Sequence, residues 1–463
     1  MRTFLFICLF LAGAILSCTP PASHQQIQYP DETRRMIRDI FEETLVNGEA
    51  YDLLGELCLD IGPRLSGSAQ AEEAIYWVEK KMAAMGFDSV YKQPVMVPHW
   101  ERGKPEVVRI AESGESLNAL AIGGSVATPP GGIQAQVIEV MGVDEVEDLK
   151  EEVRNKIVFY NRPFDQRHIL TGAGYGGTVG QRSRGPVAAA KYGALAMVMR
   201  SASSAEDDAP HTGTQYFEKG VDTIPALALG VQSSIRLSQA LAANPALELF
   251  LQTDCQWYPD APSHNVIAEI RGSEFPEKII VVGGHLDSWD VGHGAHDDGA
   301  GCMQAIEVLR TLQALDYQPR HTIRAVMFIN EENGTRGGHK YADLAKERQE
   351  EHLIAIESDA GGFSPRGFGF SGPESSLEKL RSFLPLFPQA TIHFVKKGGG
   401  GVDVGPLHRE TNTPMMGLTV DSQRMFDLHH SPNDVFGTVN KRELHLGAAS
   451  LTAMIYLIDQ YGL

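Results

Sequence analysis

Residues 279–315 read IIVVGGHLDSWDVGHGAHDDGAGCMQAIEVLRTLQAL. The stretch divides into an apolar run (Ile279–Gly283), a turn-rich middle carrying His285, Asp287, Asp297 and Asp298, and a helical stretch (Ala300–Leu315). A short apolar run bounded by turn signals reads as a buried strand, and the longer periodic stretch behind it as a helix. The pattern repeats downstream: Ile323–Asn330 and Leu353–Ser358 are further apolar runs, with helical Gly337–Arg348 between them. Met415–Val420 adds a strand and Arg442–Tyr461 a closing helix. Strands alternating with helices predict an α/β fold, a sheet flanked by helices on both faces in three layers.

Upstream the texture differs. Leu53, Leu54 and Leu57, then Ile75, Val78 and Met82, recur at three- and four-residue spacing and predict amphipathic helices, joined by the turn-rich segment Ile61–Ser68. Between about 131 and 250, short β-rich runs appear at Gln136–Met141, Lys156–Tyr160, Leu195–Met199 and Ile224–Leu229, with one alanine-rich helix, Val187–Tyr192. Residues 131–243 are therefore expected to form a small β-rich insert. It would divide the main domain into a first part, 31–130, and a second part, 244–463. Pro163–Gly185, rich in glycine and arginine, is expected to be an unstructured loop with His168, Arg182 and Arg184 solvated on it; the alternative is that this group reaches across to a functional site on the main domain or to a partner subunit.

The N-terminal residues 1–17 read as a targeting signal: Arg2, then the apolar run Phe4–Leu16, too short to span a bilayer comfortably. Ile15-Leu16-Ser17-Cys18 resembles a bacterial lipoprotein signal, although Leu16 is unusual at its place. The expectation is an exported cell-envelope lipoprotein in the periplasm, outer membrane or cell surface, held by a lipid on Cys18 and a polar tether over 18–30. A plain secretory signal is the alternative. Cys58, Cys255 and Cys302 remain, with no CxxC spacing, so neither a disulfide framework nor a cysteine zinc site is indicated, and one disulfide stays open. A formal net charge of −19 argues against nucleic acid as a partner.

In open α/β sheets ligands bind beyond the carboxyl ends of the strands. The residues found there are His285 and Asp287 after the first run, Glu331 and Glu332 after the second, and Asp359 after the third. Asp297-Asp298-Gly299 opens the next helix, and His429-His430-Ser431-Pro432 comes near the end. Histidine nitrogen and carboxylate oxygen are zinc ligands, and a two-metal site needs a carboxylate able to bridge both ions. Each residue alone has a plainer reading: a buried strand-end histidine, a helix cap, surface charge, a turn.

Taken together these segments resemble the co-catalytic zinc exopeptidases of metallopeptidase family twenty-eight, and most closely the carboxypeptidase Q branch. The resemblance runs through Ile61–Ser68, Gly283–Asp290, the Asp-Asp-Gly block, Asn330–Gly334, Glu357-Ser358-Asp359 and His430-Ser431-Pro432. The inserted segment is similar to a protease-associated domain through Asn155–Phe159 and Ala188–Ala194. The resemblance implies two zinc ions per chain, one on His285 and Asp359, the other on Glu332 and His430, with Asp297 between them. It implies Glu331 as general acid/base and Asp287 as the residue that orients His285. His430 is preferred to His429 because it directly precedes Ser-Pro-x-Asp, and Asp298 keeps its helix-capping role.

The implied activity is hydrolysis of dipeptides or short peptides. The short spacing from His285 to Asp297 favours the carboxypeptidase Q type over the aminopeptidases of the same family. A glutaminyl-cyclase-like transferase would not be expected to carry the insert, and a non-catalytic receptor would be expected to lack ligands that are all present here. The sequence leaves open whether the chain pairs as a homodimer. Gly398–Gly401 beside Asp403 reads as a flexible loop near the substrate, and the Asn333-Gly334-Thr335 glycosylation sequon as accidental.

Overall fold

A computed structural model describes residues 29–463, so the targeting signal and Cys18 lie outside the described residues. Two sheets are formed, each with its own core. The larger has eight strands in the order Ser89–Glu101, Gln256–Ile270, His321–Phe328, Phe275–His285, Glu351–Glu357, Met415–Val420, Pro365–Ser371 and Phe394–Lys397. Its four central strands run parallel, with antiparallel neighbours on either side. Side chains alternate between faces along a strand. Accordingly Ile280 and Val282 enter the core that holds the Ala300–Ala314 and Lys441–Tyr461 helices, while Ile279 and Val281 meet Tyr341, Ala342 and Leu407 on the other face. Covering both faces is what makes the central strands unbroken apolar runs. The α/β sheet expected from the sequence is the sheet observed.

A two-stranded ribbon carries the chain out of this sheet and back. Ser89–Glu101 pairs antiparallel with Gln256–Ile270 along its length, from Ser89 opposite Glu269 to Glu101 opposite Gln256. Beyond the ribbon lies a seven-stranded sheet in the order Val107–Ile110, Glu248–Gln252, Ile133–Val140, Ile157–Tyr160, Ala196–Arg200, Ala226–Leu229 and Ala119–Ala121. Ile157 and Phe159 face one of its cores, Val158 and Tyr160 the other. Three of its strands lie outside 131–243, so the sheet reaches further at both ends than the sequence pattern predicts. Those strands are three to five residues long, and in Val107–Ile110 half the side chains are exposed, which leaves little periodic signal.

Pro163–Gly185 is not unstructured. It carries the helices Thr171–Thr178 and Gly180–Ser183. Four glycines in the first of them make it a weak helix by propensity, and tertiary contacts support it: Thr171 Oγ1 donates to the Ser422 carbonyl, and Gly174 lets the Phe164 ring approach closely. Arg182 is buried, whereas His168 and Arg184 are exposed. Cys58, Cys255 and Cys302 are free and buried. None of the described helices is long and apolar enough to cross a membrane.

Candidate metal centre

Strand register brings the chemical residues together. His285 ends its strand opposite Phe328, so Glu331 and Glu332 lie just beyond it on one side. Gly283 pairs with Glu357 on the other side, which carries Asp359 to the level of His285. The first helix after the central strand begins beside them. Gly284 allows this approach, since a Cβ there would lie 2.3 Å from Asp298 Oδ2. Asp298 caps that helix through Gly301 N (2.9 Å) and also accepts from His285 N (3.1 Å), tying the strand end to the helix start.

Asp297 stands at the middle. Its Oδ1 is 3.2 Å from His285 Nε2, which lies 3.5 Å from Asp359 Oδ1. Its Oδ2 is 3.2 Å from His430 Nε2, which lies 3.1 Å from Glu332 Oε2. One carboxylate therefore joins two half-sites, each with one histidine and one further acid. His429 Nε2 also approaches Asp297 Oδ2, at 3.5 Å, but its ring stacks on His430 (3.5 Å between centroids, 18° between planes) and faces Tyr175 and Phe426. Only His430 meets both carboxylates. It does so from a left-handed backbone conformation (φ 58°) that is rare for a non-glycine residue.

The centre is braced from several directions. Asp434 accepts from the backbone N–H groups of His296 (2.8 Å) and Asp297 (3.1 Å), a role the sequence did not reveal. Asp287 meets His285 through its main chain. His285 Nδ1 donates to the Asp287 backbone carbonyl (3.0 Å), while the Asp287 carboxylate, 3.8 Å from that nitrogen, accepts from Glu331 N at 3.1 Å. Arg64, fully buried, donates to the carbonyls of Leu286 (2.5 Å), His293 (2.7 Å) and Gly294 (3.0 Å) and clamps the intervening loop. Ser66 Oγ receives Asn330 Nδ2 (2.7 Å) and donates to Asn333 Oδ1 (2.8 Å), so Ile61–Ser68 acts as a brace. His296 is a packing residue: its ring stacks on Phe363 and its Nδ1 accepts from Gly362 N.

Electrostatically the pocket is short of positive charge. Burial, then Asp297, pushes Glu332 up to about 7. Burial and the nearby Asp359 and Glu332 carboxylates raise Glu331 well above the carboxylate range, against the pull of His285. For His285, burial opposes the charged form, and contacts with Asp297 and Asp359 overcome it and raise the imidazole well above its ordinary value. His285 Nε2, Asp297 Oδ2 and Glu332 Oε1 are sealed from solvent without a hydrogen-bond partner among the described residues. Buried polar atoms are normally satisfied. Histidine nitrogen and carboxylate oxygen left unpartnered and convergent are the donors that zinc takes, and the residues fit such ions. Asp297, His429 and His430, and His285, Asp297 and Asp359, each present three ligand atoms within 4.8 Å of one another.

A cavity of about 680 Å³ opens onto the centre, lined by Asp297, Glu331, Glu332, Asp359 and His430. The seven-stranded unit supplies part of its wall. Thr212 N donates to the His430 carbonyl (2.8 Å), and the Thr212 carbonyl lies 3.3 Å from His430 Nδ1. Ser204 N donates to Phe426 O (3.1 Å), Ser204 Oγ to Asp427 (2.7 Å), and Asn433 Nδ2 to Asp207 (2.7 Å). Tyr175 and Arg182 also line the cavity, and no local motif marks either one. Just past Gly398–Gly401 the chain holds a buried acid: Val402 N donates to Glu357 Oε1 and Val404 N to its Oε2, both at 2.9 Å.

Residues 265–454 match Peptidase family M28. Carboxypeptidase Q of Bos taurus is 32% identical over 467 residues, covering 97% of this chain and 97% of its own. A solved peptidase M28 precursor from Shewanella amazonensis superposes with a TM-score of 0.88 at 31% identity, covering 93% of this chain and 97% of its own. A zinc aminopeptidase from Bacillus subtilis shares the fold at 20% identity and a TM-score of 0.65, covering 88% of this chain and 94% of its own.

Proposed function

The chain belongs to peptidase family M28, a zinc-dependent exopeptidase, and from that premise we propose that it is a two-zinc enzyme hydrolysing dipeptides or short peptides in the manner of carboxypeptidase Q. The observation that carries the reading is the placement of Asp297, with Oδ1 3.2 Å from His285 Nε2 and Oδ2 3.2 Å from His430 Nε2. His285 and Asp359 would hold one zinc, His430 and Glu332 the other, with Asp297 between. When bound, the ions would supply Lewis acidity, polarising a carbonyl and making water easier to deprotonate. Glu331, at the cavity wall, takes the proton of the attacking water and passes it to the leaving amine. Asp287 holds the Glu331 backbone in place and, through its own carbonyl, selects the His285 tautomer with Nε2 free for metal.

We read the seven-stranded sheet as a protease-associated domain. Its Asn155–Phe159 and Ala188–Ala194 segments support that reading. The N-terminal segment ending at Cys18 supports export with a lipid anchor. Metal analysis of zinc-loaded protein is expected to give about two ions per chain. Free dipeptides, N-blocked dipeptides and aminoacyl-anilides should then be assayed side by side. Preferential hydrolysis of free dipeptides supports the reading, and preference for anilides replaces it with an aminopeptidase.

A further inference from the structure

Resting on the two-zinc reading, we propose that Trp289 is a positioning residue: its indole, wedged against Gly123 of the smaller unit, sets where Thr212 holds His430. Trp289 lies on the loop that follows His285 and is 2% exposed. It packs with Leu65, Trp100, Ala121 and Cys255 in a small core shared by the main and smaller units. A Cβ on Gly123 would lie 2.0 Å from its Cη2 and 2.3 Å from its Cζ3, so the tip of the indole fills the place of a side chain. Gly123 does not adopt a positive φ, so the contact and not the backbone calls for glycine there. The indole N–H is sealed without an acceptor among the described residues. A buried indole usually finds one. Here shape on two sides decides where the ring stands.

From Gly123 the contact passes on toward the metal ligands. Gly123 N donates to the Gly213 carbonyl (3.0 Å) and Thr212 Oγ1 to the Ala121 carbonyl (2.8 Å), so 212–214 lies along 121–123. Thr212 then meets His430 through both of its backbone groups. The indole also faces His430 directly, with ring centroids 5.7 Å apart and planes at 58°. Trp289 thus acts on His430 by two routes, through its own ring and through Gly123 and Thr212. The neighbouring Asp290 fastens the same loop to the smaller unit: it accepts from Arg102 Nε (2.8 Å), and Arg102 Nη1 donates to the Ala121 carbonyl. His285 does not depend on this wedge. Strand register places it, and Arg64 holds the loop at Leu286, His293 and Gly294. A core filler would serve both halves of the centre alike, whereas this wedge bears on one.

The test is an exchange of volume. Trp289→Phe shortens the wedge, and Gly123→Ala drives it back. Each is expected to weaken the second step of a chelator-monitored zinc titration by roughly 10–100-fold, the usual cost of disturbing a group that holds a metal ligand. The first step should not move. In Trp289→Phe/Gly123→Ala the new methyl occupies space that the indole vacates, and the second step should return toward wild type, a non-additivity expected of residues in contact. An unmoved second step, equal weakening of both steps, or additive losses in the double variant would show a packing role and overturn the proposal. Hydrogen exchange of the metal-free proteins reads the same wedge without zinc. Segments 211–214 and 428–434 should exchange faster in each single variant and as wild type in the double, and unchanged exchange in both single variants would overturn the proposal. If wild type takes up fewer than two ions, the two-zinc reading fails on its own, while the exchange pattern still supports or overturns the role of Trp289.

Discussion

The two halves of the proposed metal centre are built differently. The His285–Asp359 half comes from adjacent parallel strands of one sheet, where register alone sets the ligands level. The His430–Glu332 half takes its histidine from a loop held from outside, by the Thr212, Ser204 and Asp207 contacts of the seven-stranded unit. Asp297 belongs to both. Rigid strand ends give precise placement without contacts from the smaller unit. A loop-borne ligand in a strained backbone conformation needs its surroundings to determine it. The second half is thus where the smaller unit can influence chemistry, and the same unit delivers Arg182 to the cavity.

Removing the shared residue should erase the difference between the halves. Asp297→Ala is expected to lose both zinc ions and all measurable turnover; metal analysis of the folded variant checks this, and retention of two ions would return Asp297 to the role of a helix cap. Glu331→Gln sharpens the contrast between holding metal and using it. Both halves should keep their ions while kcat falls by ~10²-fold or more, because a positioned acid/base contributes roughly 10²–10⁴. Near wild-type turnover would move that role to another group, with Glu332 the first to examine.

His430→Ala tests the loop half alone. One ion should remain, on the strand-end half, whereas His429→Ala should keep two. The reverse outcome would exchange the two histidines. The smallest effect is expected from Asp207→Ala, which frees Asn433 on the loop. A single hydrogen bond contributes about 0.5–1.5 kcal/mol, so zinc affinity of the second half should weaken by roughly tenfold or less, with the first half unaffected. Two-step zinc titration with a chromogenic chelator distinguishes these cases. Equal weakening of both steps would show that the halves are not separately supported.

Much of the centre was legible in advance because strand and motif coincide. A parallel sheet gathers the carboxyl ends of its strands on one edge, so His285, Glu331, Glu332 and Asp359 could be located from the residues just past each apolar run. The long ribbon, Ser89–Glu101 with Gln256–Ile270, left no such trace. The stretch Gln256–Asp260 is exposed, and neither apolar runs nor clean alternation mark it. The helices of 171–183 were missed for a related reason: their glycines weaken the local signal, and contacts with Ser422 and Phe164 supply what propensity lacks.

What the sequence determined by itself is the α/β sheet and the order of the histidines and carboxylates at its edge, since these rest on periodicity and on which residue types close each strand. Only the tertiary structure decided that the Asp287 carboxylate holds Glu331 while its carbonyl orients His285, that Asp434 supports the Asp297 backbone, and that Arg182 enters the cavity from a separate unit. Those facts depend on how two independently cored bodies meet and on which of two nearby oxygens lies within hydrogen-bond reach. Distances of a few tenths of an ångström between residues hundreds of positions apart are set by packing, and no local pattern of side chains encodes them.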